Sequence, residues 1–581
     1  MHRHGAHLLD ATSARFALWA PDARSVSVEL EQQPAIELLP DDEGWYTGVA
    51  PCQAGDRYHY RIDGELQVAD PASRYQPDGV QGPSQVVDVA SYAWQHPWQG
   101  RPWHEAVIQE LHVGLLDGYQ GVARQLPRLA ELGISAIELM PLGQFPGERN
   151  WGYDGVLPYA PQNTYGSPEQ LCALVDQAHG QGLMVLVDVV YNHFGPDGNY
   201  LHQYASSFFR EDRQTPWGAA IDFRRPQVRE YFIQNALMWL CDYRCDGLRL
   251  DAVHAIDQPD FLVELAQRVR AAVEPGRHVW LVLENEHNQA FLLEQGFDAQ
   301  WNDDGHNVLH HLLTGEKEGY YSEFAEAPTT KLARCLGEGF IFQGEEDRRG
   351  HIRGAPSGHL PPTSFILFLQ NHDQVGNRAF GERLDQLIEA NANALAAARA
   401  LLLLSPMVPL LFMGEEWGSQ QPFLFFTDHN PALAKAVCEG RRNEFADFGH
   451  HQRDEIPDPN AVSTFENSRP DFAASKTPTQ QQILTSYRQL LALRAAEITP
   501  RLVGAYSAGV TVLAEGALSA FWRMGDERLL RIDLNLGSAT AAVKAPWEQA
   551  RVLFNQGVDE ASITQGVLPP YSALVTLDDG P

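Results

Sequence analysis

At 581 residues the chain exceeds what a single hydrophobic core usually supports, and two to four domains are expected from length alone. Its 44% apolar and 20% charged fractions are ordinary for a soluble globular protein, while a formal net charge of −32 argues against nucleic acid and anionic membrane, whose binding needs clustered Lys and Arg. A neutral substrate fits that balance best.

Met1 to Gly5 lead into no apolar run of leader length. Residues 1–95 carry short alternating runs, such as 13–19 and 25–30, separated by turn clusters (Pro40-Asp41-Asp42-Glu43-Gly44, Asp63-Gly64). This predicts a small immunoglobulin-like β-sandwich. Tryptophans and prolines between Trp94 and Trp103 then mark a linker. Over residues 96–499 apolar runs of strand length recur at 107–111, 136–140, 184–190, 247–250, 279–283, 297–301, 365–370 and 408–413. Helical patterns fall between several of them (121–132, 168–181, 228–243, 260–273), most opening on proline or a capping residue. Eight such units predict a (β/α)8 TIM barrel with inserted βα loops, an α/β fold, with a doubly wound open sheet as the competing topology.

The longest apolar stretch, 394–413, is broken by Arg399, Ser405, Pro406 and Pro409. It therefore reads as buried helix and buried strand, since a membrane span needs roughly 20 uninterrupted apolar residues. A last helix over 479–494 precedes renewed alternation, which predicts a second β-sandwich over 500–581. The cysteines (Cys52, Cys172, Cys241, Cys245, Cys335, Cys438) are scattered, with no second pair at zinc-site spacing beside Cys241 and Cys245. Free thiols in the cytoplasm are expected.

In a barrel, functional groups gather at the C-terminal ends of the strands. The third run ends in Asp188-Val189-Val190-Tyr191-Asn192-His193, and the fourth reads Asp246-Gly247-Leu248-Arg249-Leu250-Asp251-Ala252-Val253-His254. The fifth ends in Leu283-Glu284-Asn285-Glu286 and the seventh in Gln370-Asn371-His372-Asp373-Gln374. Acetal hydrolysis needs one acid to protonate the leaving oxygen and a carboxylate to trap the oxocarbenium-like centre. Acids at neighbouring strand ends supply such a pair. Arg249, two residues before Asp251, shares its strand face and favours its ionised form. Glu286 competes with Glu284 for the acid's role, although Glu284 directly follows the apolar run.

These four segments resemble the motif regions of the α-amylase family of glycoside hydrolases (family 13), over roughly residues 100–500. The resemblance implies a TIM barrel, double displacement with retention and no cofactor. Carried over by position, Asp251 matches the nucleophile, Glu284 the acid/base and Asp373 the third carboxylate. Arg249, His193 and His372 match groups lining the cleaved sugar's subsite, with Gln374 beside them. Trp151-Gly152-Tyr153-Asp154-Gly155 resembles the stretch whose Tyr stacks on that sugar, which brings in Tyr153 and Asp154. Asn192 matches a calcium ligand of secreted members, but the loop over 191–225 looks too short for the calcium-binding insertion, so no metal is expected.

Within the family, the Trp217-Gly218 stretch is similar to the branch that holds both glycogen-branching and trehalose-releasing enzymes, and Trp301-Asn302-Asp303-Asp304-Gly305-His306, Gly414-Glu415-Glu416-Trp417 and Phe425-Phe426-Thr427-Asp428-His429 are similar to its trehalose-releasing members. That likeness implies cleavage of the α-1,4 bond beside the terminal trehalosyl unit of maltooligosyltrehalose, in sequence with a maltooligosyltrehalose synthase. Asp303, Asp304, His306 and His254 are then the candidates for binding the trehalose end. Gly305 and Asn307 depart from the pattern, which has an aromatic and histidines there. A branching transferase with the same acids, and a carbohydrate-binding protein without activity, are the other readings.

Overall fold

The computed structural model describes residues 4–215, 218–388, 391–445, 455–543 and 550–578; Trp217 lies outside them. The eight apolar runs form eight strands: β1 (Ile108–Leu111), β2 (Ala136–Leu139), β3 (Met184–Val189), β4 (Gly247–Leu250), β5 (Trp280–Leu283), β6 (Ala299–Trp301), β7 (Phe365–Phe368) and β8 (Val408–Phe412). They close in sequence order into one parallel barrel, β8 returning to β1. Closure decides against the open doubly wound sheet.

Parallel strands covered on both sides need near-continuous apolar sequence, which is why the runs stand out. Helices follow several strands, and Pro168, Pro226 and Pro259 open theirs at the first position, where a missing N–H costs nothing. The stretch after residue 390 divides into helix Ala392–Leu404 and strand β8, all of β8 buried.

Inside the barrel, Ile108, Ala136, Met184, Leu186, Trp280, Val282, Ala299, Trp301, Ile366, Phe368, Val408 and Leu410 form one apolar plug. Side chains alternate along a strand, so the residue two further on faces inward again. Those residues are Glu110, Glu138, Asp188 and Glu284, on strands β1, β2, β3 and just after β5. The plug therefore ends upward in a layer of charge, and this layer is the floor of the site.

Before the barrel, two antiparallel sheets face each other. One orders Gly5–Asp10, Ser13–Trp19, Trp45–Pro51 and Leu39–Pro40; the other orders Ile36–Glu37, Val26–Leu30, Arg57–Ile62 and Leu66–Val68, with Ser84–Gln85 also paired to Arg57–Ile62. After the barrel, helix Pro478–Leu493 leads to a five-stranded antiparallel sheet whose order is Tyr506–Ala514, Ala517–Arg523, Leu529–Asn535, Ser572–Asp578 and Ala550–Gln556. A ribbon of Ala541–Ala542 and Val567–Leu568 accompanies it. No helix among the described residues is long and apolar enough to cross a membrane.

Candidate active site

Arg249 organises the floor. From β4 its fully buried guanidinium reaches Asp188 Oδ2 at 2.7 Å and Asp251 Oδ1 at 3.0 Å through Nη1, and Glu284 Oε2 at 2.7 Å through Nη2. Its underside lies 4.2 Å from the Trp301 ring, a stacked arrangement that lysine cannot reproduce. The pairing expected from the two-residue spacing of Arg249 and Asp251 is present, and it extends to a carboxylate on the next strand.

Asp251 keeps its second oxygen on Asn192, whose Nδ2 donates to Oδ2 at 2.8 Å. The chain then turns through Ala252 at φ 39°, a left-handed conformation that a residue with a side chain rarely takes. That turn aims the Ala252 N–H at Glu284 Oε2, 2.9 Å away. Glu284 Oε2 thus has two donors, and Oε1 has none among the described residues. Glu286 stands elsewhere, half-exposed near His254 and Arg349 at 3.9 Å each. Between the two candidate acids, the structure brings Glu284 to the cluster.

His372 and Asp373 begin a short helix (His372–Gly376) after β7, capped by Asn371, which accepts from Gln374 N at 2.8 Å. Asp373 Oδ1 accepts from Asn377 at 3.2 Å and lies 3.5 Å from His372 Nε2. His372 is itself held by Glu110, 2.5 Å from its Nδ1. Burial opposes a charge on this ring, but the Glu110 and Asp373 carboxylates outweigh it and lift His372 to about 9. Burial, then the charge of Glu284, raises Asp373, with His372 pulling the other way. Asp188 is pushed up to about 7 by burial against the pull of Arg249.

Tyr153 crosses this floor. Its hydroxyl donates to Asp188 Oδ2 at 2.6 Å, and its ring stacks on His372 with centroids 5.0 Å apart. Gly152 makes the approach possible: its φ is 108°, and a Cβ there would sit 2.5 Å from the Pro141 carbonyl oxygen. His193 reaches the Tyr153 carbonyl at 2.9 Å, pairs with Asn192, and is pulled below its usual range by burial. Asp154 accepts from Asn150 at 2.6 Å with His429 3.5 Å away. Gln374 Oε1 lies at 3.5 Å from the Tyr321 hydroxyl.

The group after β6 divides. Asp303 opens helix Asp303–Thr314, makes no hydrogen bond from its carboxyl among the described residues, and is raised well above the carboxylate range by burial and by Glu284 and Asp373. Its carboxyl feels the charges of the Glu284 and Asp373 carboxylates. Asp304 is 1% exposed, and its oxygens take Asn288 Nδ2 (2.8 Å), Arg353 Nη2 (2.7 Å) and the N–H groups of Ile341 and Phe342. The expectation that Asp304 meets the sugar is corrected, because its acceptor positions are filled. His306 is buried as well, 1% exposed and stacked on Phe368 at 5.3 Å, and burial holds its ring well below the usual range. Gly305 faces the protein too, since a Cβ would meet Leu367 at 2.8 Å and Cys335 at 3.1 Å, leaving no room for an aromatic. His254 sits at the rim, its Nδ1 accepting from Glu286 N at 3.3 Å.

Glu110 and Glu138 lie outside the motifs read from the sequence. Neighbours in register on β1 and β2, each interrupts an apolar run with a carboxylate, which is the available signal. Among the described residues both Glu138 oxygens are buried without a hydrogen-bond partner, and burial, with the charges of Glu110 and Asp188, drives its carboxyl well above the usual range. None of the six cysteines is in a disulfide. No group of three or more His, Cys, Asp or Glu among the described residues is placed to hold a metal ion.

A closed barrel whose strand ends bring Asp188, Asp251 and Glu284 onto one guanidinium, with Asp373 on the short helix after β7, defines a glycoside hydrolase of the α-amylase class. Its family models match in chain order: carbohydrate-binding module 48 (isoamylase N-terminal domain) over residues 3–75, the alpha amylase catalytic domain over 112–219, and a domain of unknown function over 505–575. The chain is 38% identical to the malto-oligosyltrehalose trehalohydrolase of Deinococcus radiodurans over 95% of its length and 93% of the relative's. It is 40% identical to that of Arthrobacter ramosus over 83% and 87%. The chain belongs to the malto-oligosyltrehalose trehalohydrolase family. A 1,4-alpha-glucan branching enzyme of Bacillus caldolyticus is more distant, 31% identical over 63% of each chain. Among solved structures, a candidate alpha amylase from Salmonella typhimurium superposes with TM-score 0.93 at 40% identity over the whole of both chains. A pullulanase from Anoxybacillus sp. LM18-11, 15% identical at TM-score 0.74, shares the fold.

Proposed function

We propose that this protein hydrolyses the α-1,4 bond next to the terminal trehalosyl unit of maltooligosyltrehalose, with retention. Asp251 attacks the anomeric carbon while Glu284 gives its proton to the leaving oxygen, so trehalose departs and a glycosyl ester remains on Asp251. Glu284 then takes a proton from water, whose oxygen displaces Asp251 and frees the shortened maltooligosaccharide. Oε1 is the oxygen of Glu284 that faces the leaving group, since Oε2 is committed to Arg249 and Ala252 N. Asp373 and His372 grip the sugar's hydroxyls; Arg249, Tyr153 and His193 line the same subsite; Asp154, Gln374 and His254 bound it. Asp303 meets the trehalose end.

The observation that carries this reading is the shared guanidinium: one rigid fork fixes the nucleophile and the acid relative to each other. Residues 1–95 form a carbohydrate-binding sandwich, 96–499 the catalytic barrel and 500–581 the trailing domain. The enzyme works in the cytoplasm, takes its substrate from a maltooligosyltrehalose synthase and needs neither metal nor cofactor.

Incubation with maltooligosyltrehalose, followed by chromatography, tests the reading through the appearance of free trehalose. A change in the iodine colour of amylose without new reducing ends would instead identify a branching transferase.

A further inference from the structure

Glu110 and His372 lie 262 residues apart in sequence and meet at two points under the cleft. Glu110 Oε1 is 2.5 Å from the ring Nδ1 of His372, and Oε2 accepts from its backbone N–H at 2.9 Å. Both side chains are buried, at 1% and 2% exposure. The ring is also held by stacking on Tyr153 at 5.0 Å and by a perpendicular contact with the Trp151 ring at 5.6 Å. Only Nε2 is left, and it looks toward Asp373 Oδ1 at 3.5 Å.

We propose that Glu110 is a positioning residue of the reaction: by gripping both the ring and the backbone of His372, it fixes that side chain in its charged form against Asp373. The inference rests on the proposed function, in which His372 and Asp373 hold the sugar.

A charged imidazole donates from both nitrogens. A neutral one has a single N–H, which Glu110 claims at Nδ1. Nε2 would then turn a lone pair toward the Asp373 carboxylate and the sugar's hydroxyls, weakening the subsite. The charged and titratable groups about the ring are Glu110 on β1, Glu138 on β2, Arg249 on β4, Tyr153 beside it and Asp373 on its own helix. His112, just after β1, is held down to about 4 by burial and stays neutral. Burial raises Glu138 well above the usual carboxylate range, and it pushes Tyr153 upward as well. Glu110 is therefore the carboxylate that answers His372 from below, and its charge, with that of Asp373, is what lifts His372 from 6.5 to about 9.

The test uses the full-length Glu284→Gln variant, in which turnover is expected to be too slow to consume the ligand during a titration and the titration of the acid/base is absent. Calorimetry gives its Kd for maltooligosyltrehalose from about pH 6 to about pH 10, with circular dichroism checking the fold at each pH. The expected Kd is flat to weakly alkaline pH and rises ~10-fold or more as His372 loses its proton near 9. Adding Glu110→Gln should bring that rise to a pH lower by about two units or more, and Glu110→Asp, which keeps the charge, should restore part of the shift. A constant Kd across the range in Glu284→Gln alone overturns the inference and leaves the proposed function standing; this arm holds even if Glu110→Gln does not fold. The same pH profile with and without the Glu110→Gln substitution overturns it too. No binding at any pH overturns the functional reading together with this one.

Discussion

Arg249 donates from Nη2 to Oε2 of Glu284 at 2.7 Å, while the Nη1 of the same guanidinium serves Asp251 at 3.0 Å. Two carboxylates at the ends of neighbouring strands are thus set by one planar group. Asp251→Asn and Glu284→Gln are each expected to lower kcat by at least about 10³-fold. Circular dichroism should be unchanged, since the amides are isosteric and can still meet Arg249 through their oxygen. The readout is trehalose release; an Asp251→Asn enzyme with near-normal turnover would sink the assignment.

The same fork bears on stereochemistry. In a retaining enzyme the paired carboxyl groups stand ~5–5.5 Å apart, whereas an inverting pair leaves room for a water. Two acids tied to one guanidinium favour the shorter gap. Proton NMR of the first-formed maltooligosaccharide should show the α-anomer at its new reducing end, and a β-anomer would require a different pairing of acids.

What the sequence disclosed depended on how local the signal was. The eight strands were legible because burial on both faces forces apolar runs, and their order because each run carries its own polar ending. The Arg249–Asp251 pairing followed from the two-residue period of a strand. Glu110 was not legible: its partner His372 is brought to it only by closure of the barrel between β1 and β7 through β8. Asp303 and Asp304 look equivalent in sequence, yet successive helical positions point in different directions, and no local pattern says which one meets the cleft.

Glu138 should betray itself in stability. Both its oxygens are buried without partners among the described residues, and its carboxyl is raised well above the ordinary range, so the folded state is expected to hold a proton that the unfolded chain releases. Where that difference exists, stability falls as pH rises above the unfolded pKa of about 4.3. Glu138→Gln copies the protonated acid without the linkage. It is expected to raise Tm relative to wild type at pH 7–8, and the gain should shrink as pH falls toward about 4. Calorimetric scans of both forms at matched pH decide this; a lower Tm for Glu138→Gln at pH 8 would mean that the carboxyl is charged and paired in the native state.

The neighbouring acids after β6 give the sharpest contrast. Asp304 is the buried counter-charge of Arg353, whose side chain is 9% exposed. Breaking such a buried pair costs up to ~3–5 kcal/mol, and Arg353 would keep only the more distant Glu323, 3.8 Å away, as counter-charge. Asp304→Ala should therefore lower Tm and the yield of folded enzyme, with similar losses on every substrate. Among the described residues the Asp303 carboxyl makes no hydrogen bond to abandon, and the charges of Glu284 and Asp373 act on it. Asp303→Ala should leave Tm within a few degrees of wild type, yet reduce kcat/KM for maltooligosyltrehalose by ~10-fold or more, as a lost ligand hydrogen bond of ~1–3 kcal/mol requires. Plain maltooligosaccharide of equal length should suffer less, so the preference narrows. Asp303→Asn, which resembles the protonated acid, should retain more of that preference than Asp303→Ala does. Equal losses on both substrates for Asp303→Ala would show that recognition of the trehalose end lies elsewhere, first in the rim around His254.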